Sequence, residues 1–152
     1  MSQIDENTRD VLEDCSILQG LRILGKKWMV FVLSEILTQG SIYFTDLQGS
    51  IQDKYGKSIS GRVLSDCLST LENSDIIIRT VNPETIPARV SYSLSGKGKD
   101  LKIVLGVLKG WGVKWGGEQQ KVCQSFTCLH NGVPMIDIDE ALEVIPWVEK
   151  NR

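Results

Sequence analysis

Histidine is almost missing from this chain of 152 residues; His130 is its only one. A single imidazole leaves no His-Glu-x-x-His metal pair and only one histidine base. No Gly-x-Ser-x-Gly turn and no glycine-rich phosphate loop is present. Gly96-Lys97-Gly98-Lys99-Asp100 lacks both the leading glycine spacing and the following Ser or Thr, and reads as a basic helix start. These absences predict a protein that is not an enzyme and needs no cofactor. No apolar run is long enough to cross a bilayer, and the acidic first fifteen residues lack the layout of a secretion signal, so a cytoplasmic protein without membrane contact is expected. Cysteine is scarce too: Cys15, Cys67, Cys123 and Cys128. Such a chain does not depend on a disulfide framework. Cys123, Cys128 and His130 lie close together, but a metal site wants a fourth ligand, so no metal is expected.

The charge balance is acidic overall, 17 Lys and Arg against 19 Asp and Glu, but it is segregated. Residues 1–19 carry one basic and five acidic side chains, residues 116–152 carry three and six, and residues 20–115 carry thirteen and eight. Attraction to phosphates follows local potential within a screening length, so a basic middle is compatible with a polyanionic partner despite a pI near 5.4.

Hydrophobic spacing divides the chain into helices and a hairpin. Ile17, Leu18, Leu21 and Leu24 recur at helical steps and stop at Gly25, a suitable left-handed helix end. A second helix starts at Lys26 or Lys27 and buries Trp28, Val32, Leu33, Ile36 and Leu37 before Gly40. Thr45-Asp46-Leu47-Gln48 matches a capping box with Thr45 as N-cap, opening a short helix to about Gln52. A fourth helix, about Ser60 to Asn73, buries Val63, Leu64, Cys67, Leu68 and Leu71 and leaves Gly61, Arg62, Ser65, Asp66, Ser69 and Thr70 on the other side. Two β-rich runs follow, Ile76 to Val81 and Val90 to Leu94, separated by a loop whose prolines cannot join a ladder. A long helix from about Lys99 to Trp115 carries apolar residues on more than one face, which predicts a second copy of the chain as partner. Asp137-x-x-Glu140 opens a last helix running toward Ile145. The predicted class is α+β: a mostly helical winged helix-turn-helix with a two- to three-stranded antiparallel wing and a long C-terminal dimerisation helix. Residues 1–118 form that domain, and residues 119–152 an extension of unknown role.

This layout lets a helix enter the major groove of double-stranded DNA while the flap rides the backbone. Ser60, Gly61 and Arg62 would face base edges, with Ser65 and Ser69 further along the same side. Asp66 repels phosphates but can accept from cytosine N4. Lys27, Thr45, Lys54, Lys57 and Arg89 are candidate phosphate contacts.

With these residues in place, the chain resembles the HxlR-type winged-helix regulators, near the MarR group. The likeness runs through Cys15, Ile23-Leu24-Gly25-Lys26-Lys27-Trp28, Tyr43-Phe44-Thr45-Asp46-Leu47 and Ile59-Ser60-Gly61-Arg62-Val63-Leu64. It continues through Pro87-Ala88-Arg89-Val90-Ser91-Tyr92-Ser93-Leu94-Ser95, Leu108 and Trp111. The resemblance implies a homodimer on a two-fold-related operator, joined through the first and last family helices. Leu18 and Leu21, with Leu101, Leu105, Leu108, Trp111 and Trp115, are the expected interface. It also implies a small-molecule or redox effector, with Cys15 as a sensor in some relatives; beside Glu13 and Asp14, a structural cysteine is slightly favoured here. Tyr43 stands where the family commonly has arginine, and Cys67 where a basic residue is frequent. A winged helix that docks proteins instead of DNA, and a sequence-indifferent DNA coater, stay open as alternatives.

Overall fold

A computed structural model of the chain describes residues 15–56, 58–118 and 132–144. Six helices and three strands occupy them, in the order α1 (Ser16–Leu24), α2 (Lys27–Gln39), β1 (Ser41–Tyr43), α3 (Phe44–Tyr55), α4 (Gly61–Asn73), β2 (Ile77–Asn82), β3 (Arg89–Leu94), α5 (Gly96–Trp115) and α6 (Ile138–Val144). The core is a helical triangle. Val32, Leu33 and Ile36 of α2, Leu47 and Ile51 of α3, and Leu64, Leu68 and Leu71 of α4 are all essentially inaccessible. The antiparallel sheet, ordered β1-β3-β2, closes one side through Ile42, Ile77 and Tyr92.

The strand β1 has only three residues, too few to show an alternating pattern, yet it sets the start of α3. Ile42 pairs with Tyr92 and Tyr43 with Ser91, so the chain passes straight from ladder to helix. Helix α3 therefore begins at Phe44, with Tyr43 in the capping position and no side-chain cap. Thr45 is not the predicted N-cap, and the Gln48 amide donates instead to the Ile59 carbonyl at 3.0 Å, bracing the turn into α4. The helix also runs one turn beyond Gln52, because Ile51 is buried and Tyr55 stacks on Phe31 with ring centroids 4.0 Å apart. Gly56, at φ 62°, ends it in the left-handed conformation that favours glycine.

The start of α5 also lies earlier than the spacing predicts. Ser95 caps it: its hydroxyl oxygen accepts from the Gly98 amide at 3.0 Å and lies 2.9 Å from the Ile76 carbonyl. Gly98 packs so close to that carbonyl that a Cβ there would collide with it. Leu101 packs partly buried against the core and Leu105 is buried within the same molecule. Both were expected at a subunit interface; the helix uses these positions, one turn apart, to seat itself on its own body. Elsewhere on α5, Ile103, Val104, Val107, Leu108, Trp111 and Trp115 are exposed. Leu18 and Leu21 of α1 are exposed as well.

Candidate nucleic-acid interface

The candidate reading surface is built on α4. Ser60 starts the helix in extended backbone, and its hydroxyl accepts from the Val63 amide at 3.2 Å. Leu64, Cys67, Leu68 and Leu71 turn inward, so Arg62, Ser65, Asp66 and Ser69 are exposed, with Gly61 half-buried at the entry. Val63, predicted inward, is 37% exposed: it lies at the edge of the buried stripe, facing the start of α2. Thr70 donates to the Asp66 carbonyl at 2.9 Å, which turns its hydroxyl back onto its own helix.

One cationic cluster borders α4 and a second lies on the wing. Lys26 and Lys27, at the entry to α2, share a cleft with Val63, Asp66, Cys67 and Thr70 of α4. The Lys27 ammonium lies 5.4 Å from the Trp28 ring centre and 5.8 Å from that of Phe31, a cation–π arrangement on an aromatic pair. At the wing, a cleft lies between Tyr43-Phe44-Thr45 at the start of α3 and residues 85–90 of the loop and β3. There the Arg89 guanidinium lies over the Tyr43 ring, its carbon 3.8 Å from the ring centre, and donates to Asp46 Oδ2 at 3.4 Å. Thr45 is exposed beside it. The tyrosine that replaces a common arginine thus serves as a shelf for another one.

Lys54 has a different place. Its ammonium donates to Glu35 Oε1 at 2.6 Å, and Ser50 donates to Oε2 at 2.6 Å. Glu35 is fully buried, so these two groups on α3 satisfy both oxygens of a carboxylate on α2. A buried carboxylate stripped of its cation is strongly destabilising, by about 3–5 kcal/mol. Lys54 therefore serves the scaffold, a role that its position in the sequence does not announce. Lys57 lies outside the described residues, as do Cys123, Cys128 and His130. Among the described residues no cluster of His, Cys, Asp and Glu could hold a metal, and no helix is long and apolar enough to cross a membrane.

Two free cysteines fall within the described residues. Cys67 is buried behind the reading face; burial pushes its thiol above the ordinary range, Lys26 pulls the other way, and Asp66 adds to the rise. Such a thiol is a poor nucleophile at neutral pH. Cys15 is half-buried at the N-cap position of α1.

A buried helical triangle, a helix with a bare polar side and a three-stranded wing define a winged helix-turn-helix protein. Comparison with known proteins narrows the class: the model of the HxlR-like helix-turn-helix family matches residues 23–120, and the chain belongs to that family. It is 38% identical over 93 residues to YvaP of Bacillus subtilis, an uncharacterized helix-turn-helix-type transcriptional regulator, covering 61% of this chain and 80% of the relative. It is 30% identical over 102 residues to the transcriptional regulator YodB of the same organism, covering 67% and 85%. The structure of reduced YodB superposes with a TM-score of 0.55 at 27% identity, over 68% of this chain and 95% of that one. A regulator of the MarR family from Enterococcus faecalis superposes at 0.58, with 26% identity, over 80% and 97%. The chain is a transcriptional regulator of the helix-turn-helix type.

Proposed function

We propose that the chain binds, as a homodimer, a two-fold-related DNA operator, with α4 in the major groove and the wing on the adjacent backbone. The observation that carries this reading is the bare polar side of α4. Small residues there let the helix approach base edges closely, and Arg62 at its first turn has the forked donors that match guanine O6 and N7. Lys26, Lys27 and Arg89 flank that side with charge suited to phosphates. Thr45 beside Arg89 adds a hydroxyl donor. The exposed apolar sides of α1 and α5 supply the matching surface for a second copy, since contiguous exposed apolar area of this kind marks an interaction site.

The test is a mobility shift with the DNA upstream of the chain's own gene, in the presence of unrelated competitor DNA. Arg62→Ala should weaken operator binding by about 1–3 kcal/mol, roughly tenfold, and relax base preference. Unchanged affinity and preference would remove Arg62 from the reading role, and absent binding by the unaltered protein would favour a protein-docking winged helix.

Cys15, although its acidic neighbours favour a structural role, is the cysteine to test as an effector site. Solved relatives include YodB after diamide treatment and the redox regulator HypR in its oxidized form. Cys15 is free and partly accessible, whereas Cys67 is on the buried side of α4. Operator binding that responds to a thiol oxidant in the unaltered protein, and no longer responds in Cys15→Ser, is the expected result; an equal response in both excludes Cys15.

A further inference from the structure

The segment after the family match seats itself on the long helix in an unusual way. Gly132 packs so tightly on Thr38, at the end of α2, that a Cβ would not fit. Val133 is then buried, and Lys109 of α5 donates to its carbonyl at 3.2 Å. A Cβ at Gly106 would stand 2.7 Å from the Pro134 carbonyl, and the Ile136 amide donates to the Gly106 carbonyl at 3.1 Å. One turn on, Gly110 is covered by the Ile136 carbonyl so closely that any side chain would collide. Asp137 accepts from the Asp139 and Glu140 amides to open α6, and Lys114 donates to Asp139 at 2.6 Å.

We propose that residues 133–137 are a strap that fixes the direction in which α5 leaves the reading body, and so sets the spacing between the two reading helices of a dimer. Gly98 and Leu101 anchor only the first turns of α5 to the core. Past them, Leu105 and Val133 are buried outside the main core cluster, and the segment from Gly132 to Ile136 links the middle of α5 to the end of α2. In a dimer held through the far half of α5, a change of angle at this strap moves each α4 relative to its partner. Half-sites are read only when those helices match their separation along the duplex. The strap residues are thus positioning residues for operator recognition, and the inference rests on the dimeric operator reading above.

The test uses the full-length chain and inverted-repeat duplexes built from a half-site that the unaltered protein selects in vitro. Half-site separation is varied one base pair at a time around one duplex turn. Gly110→Val displaces the strap from the helix side, and Ile136→Asp from the strap side should α5 not tolerate valine. Gly112→Ala, with open space at that position, is the control. The unaltered protein and the control should favour one separation by about tenfold or more over its neighbours, a preference that geometric matching of a dimer to its half-sites demands. Both strap variants should flatten that preference to about threefold or less while binding a single half-site as before. A preserved ranking of separations, or an equal loss on single and paired half-sites, overturns the strap. An unaltered protein that selects no half-site overturns the operator reading instead, and the two failures are distinct.

Discussion

Helices α4 and α5 each leave one side uncovered, and the two sides have opposite chemistry. On α4 the bare side is Arg62, Ser65, Asp66 and Ser69; on α5 it is Val104, Leu108, Trp111 and Trp115. Short hydroxyls and a fork of donors remain well hydrated alone and exchange water for base edges at little cost. Two exposed tryptophans and their aliphatic neighbours gain by leaving water altogether. One domain therefore carries two uncovered surfaces of opposite chemistry, and under the proposed function they serve different partners.

The comparison breaks most severely at α5. Replacing Leu108 and Trp111 together with glutamate should convert the dimer to a monomer in sedimentation and weaken operator binding on the order of a thousandfold, the loss expected when two linked contacts become one. A double variant that still sediments as a dimer would show that this apolar side serves another purpose. A smaller effect lies in the scaffold between α2 and α3. Lys54→Met leaves Glu35 buried without its cation and should cost about 3 kcal/mol of folding stability in a urea titration. If the midpoint holds while DNA binding falls, Lys54 reaches phosphates after all. The smallest concerns the wing: Tyr43→Ala removes the shelf under Arg89 and should weaken operator binding by about threefold, in line with a cation–π contact of about 0.5–1 kcal/mol. An equal loss in Tyr43→Ala combined with Arg89→Ala and in Arg89→Ala alone would confirm that the ring acts through the guanidinium; additive losses would separate them.

Much of this architecture is legible in the chain, because helical spacing and the proline-marked wing loop are strong local signals. The polar side of α4 falls where the spacing of Leu64, Leu68 and Leu71 places it. What spacing misreads is decided by tertiary contact. Thr45 and Gln48 form a sound capping pattern, but the pairing of Tyr43 with Ser91 starts the helix earlier and Gln48 is used elsewhere. Lys54 reads as a surface charge because its partner is nineteen residues away; the available hint is Glu35 itself, an acid amid Val32, Leu33, Ile36 and Leu37. Lys26 meets α4, and Tyr43 and Asp46 meet Arg89, only when separate segments come together. Leu101 and Leu105 share the spacing of the exposed apolar residues, and no periodicity tells which length of a stripe its own body covers. Gly106 and Gly110, four apart on one helix, are the trace that the docked segment leaves in the sequence.

The guanidinium lying on Tyr43 and tethered to Asp46 has a thermodynamic consequence. Most surface arginines surrender rotational freedom when they grip an anion, and that loss offsets part of the attraction. Arg89 has already surrendered much of it in the unliganded protein. Its contact should therefore register in calorimetry as a gain with a small entropic penalty, and loosening the ring beneath it should raise that penalty before it alters the enthalpy.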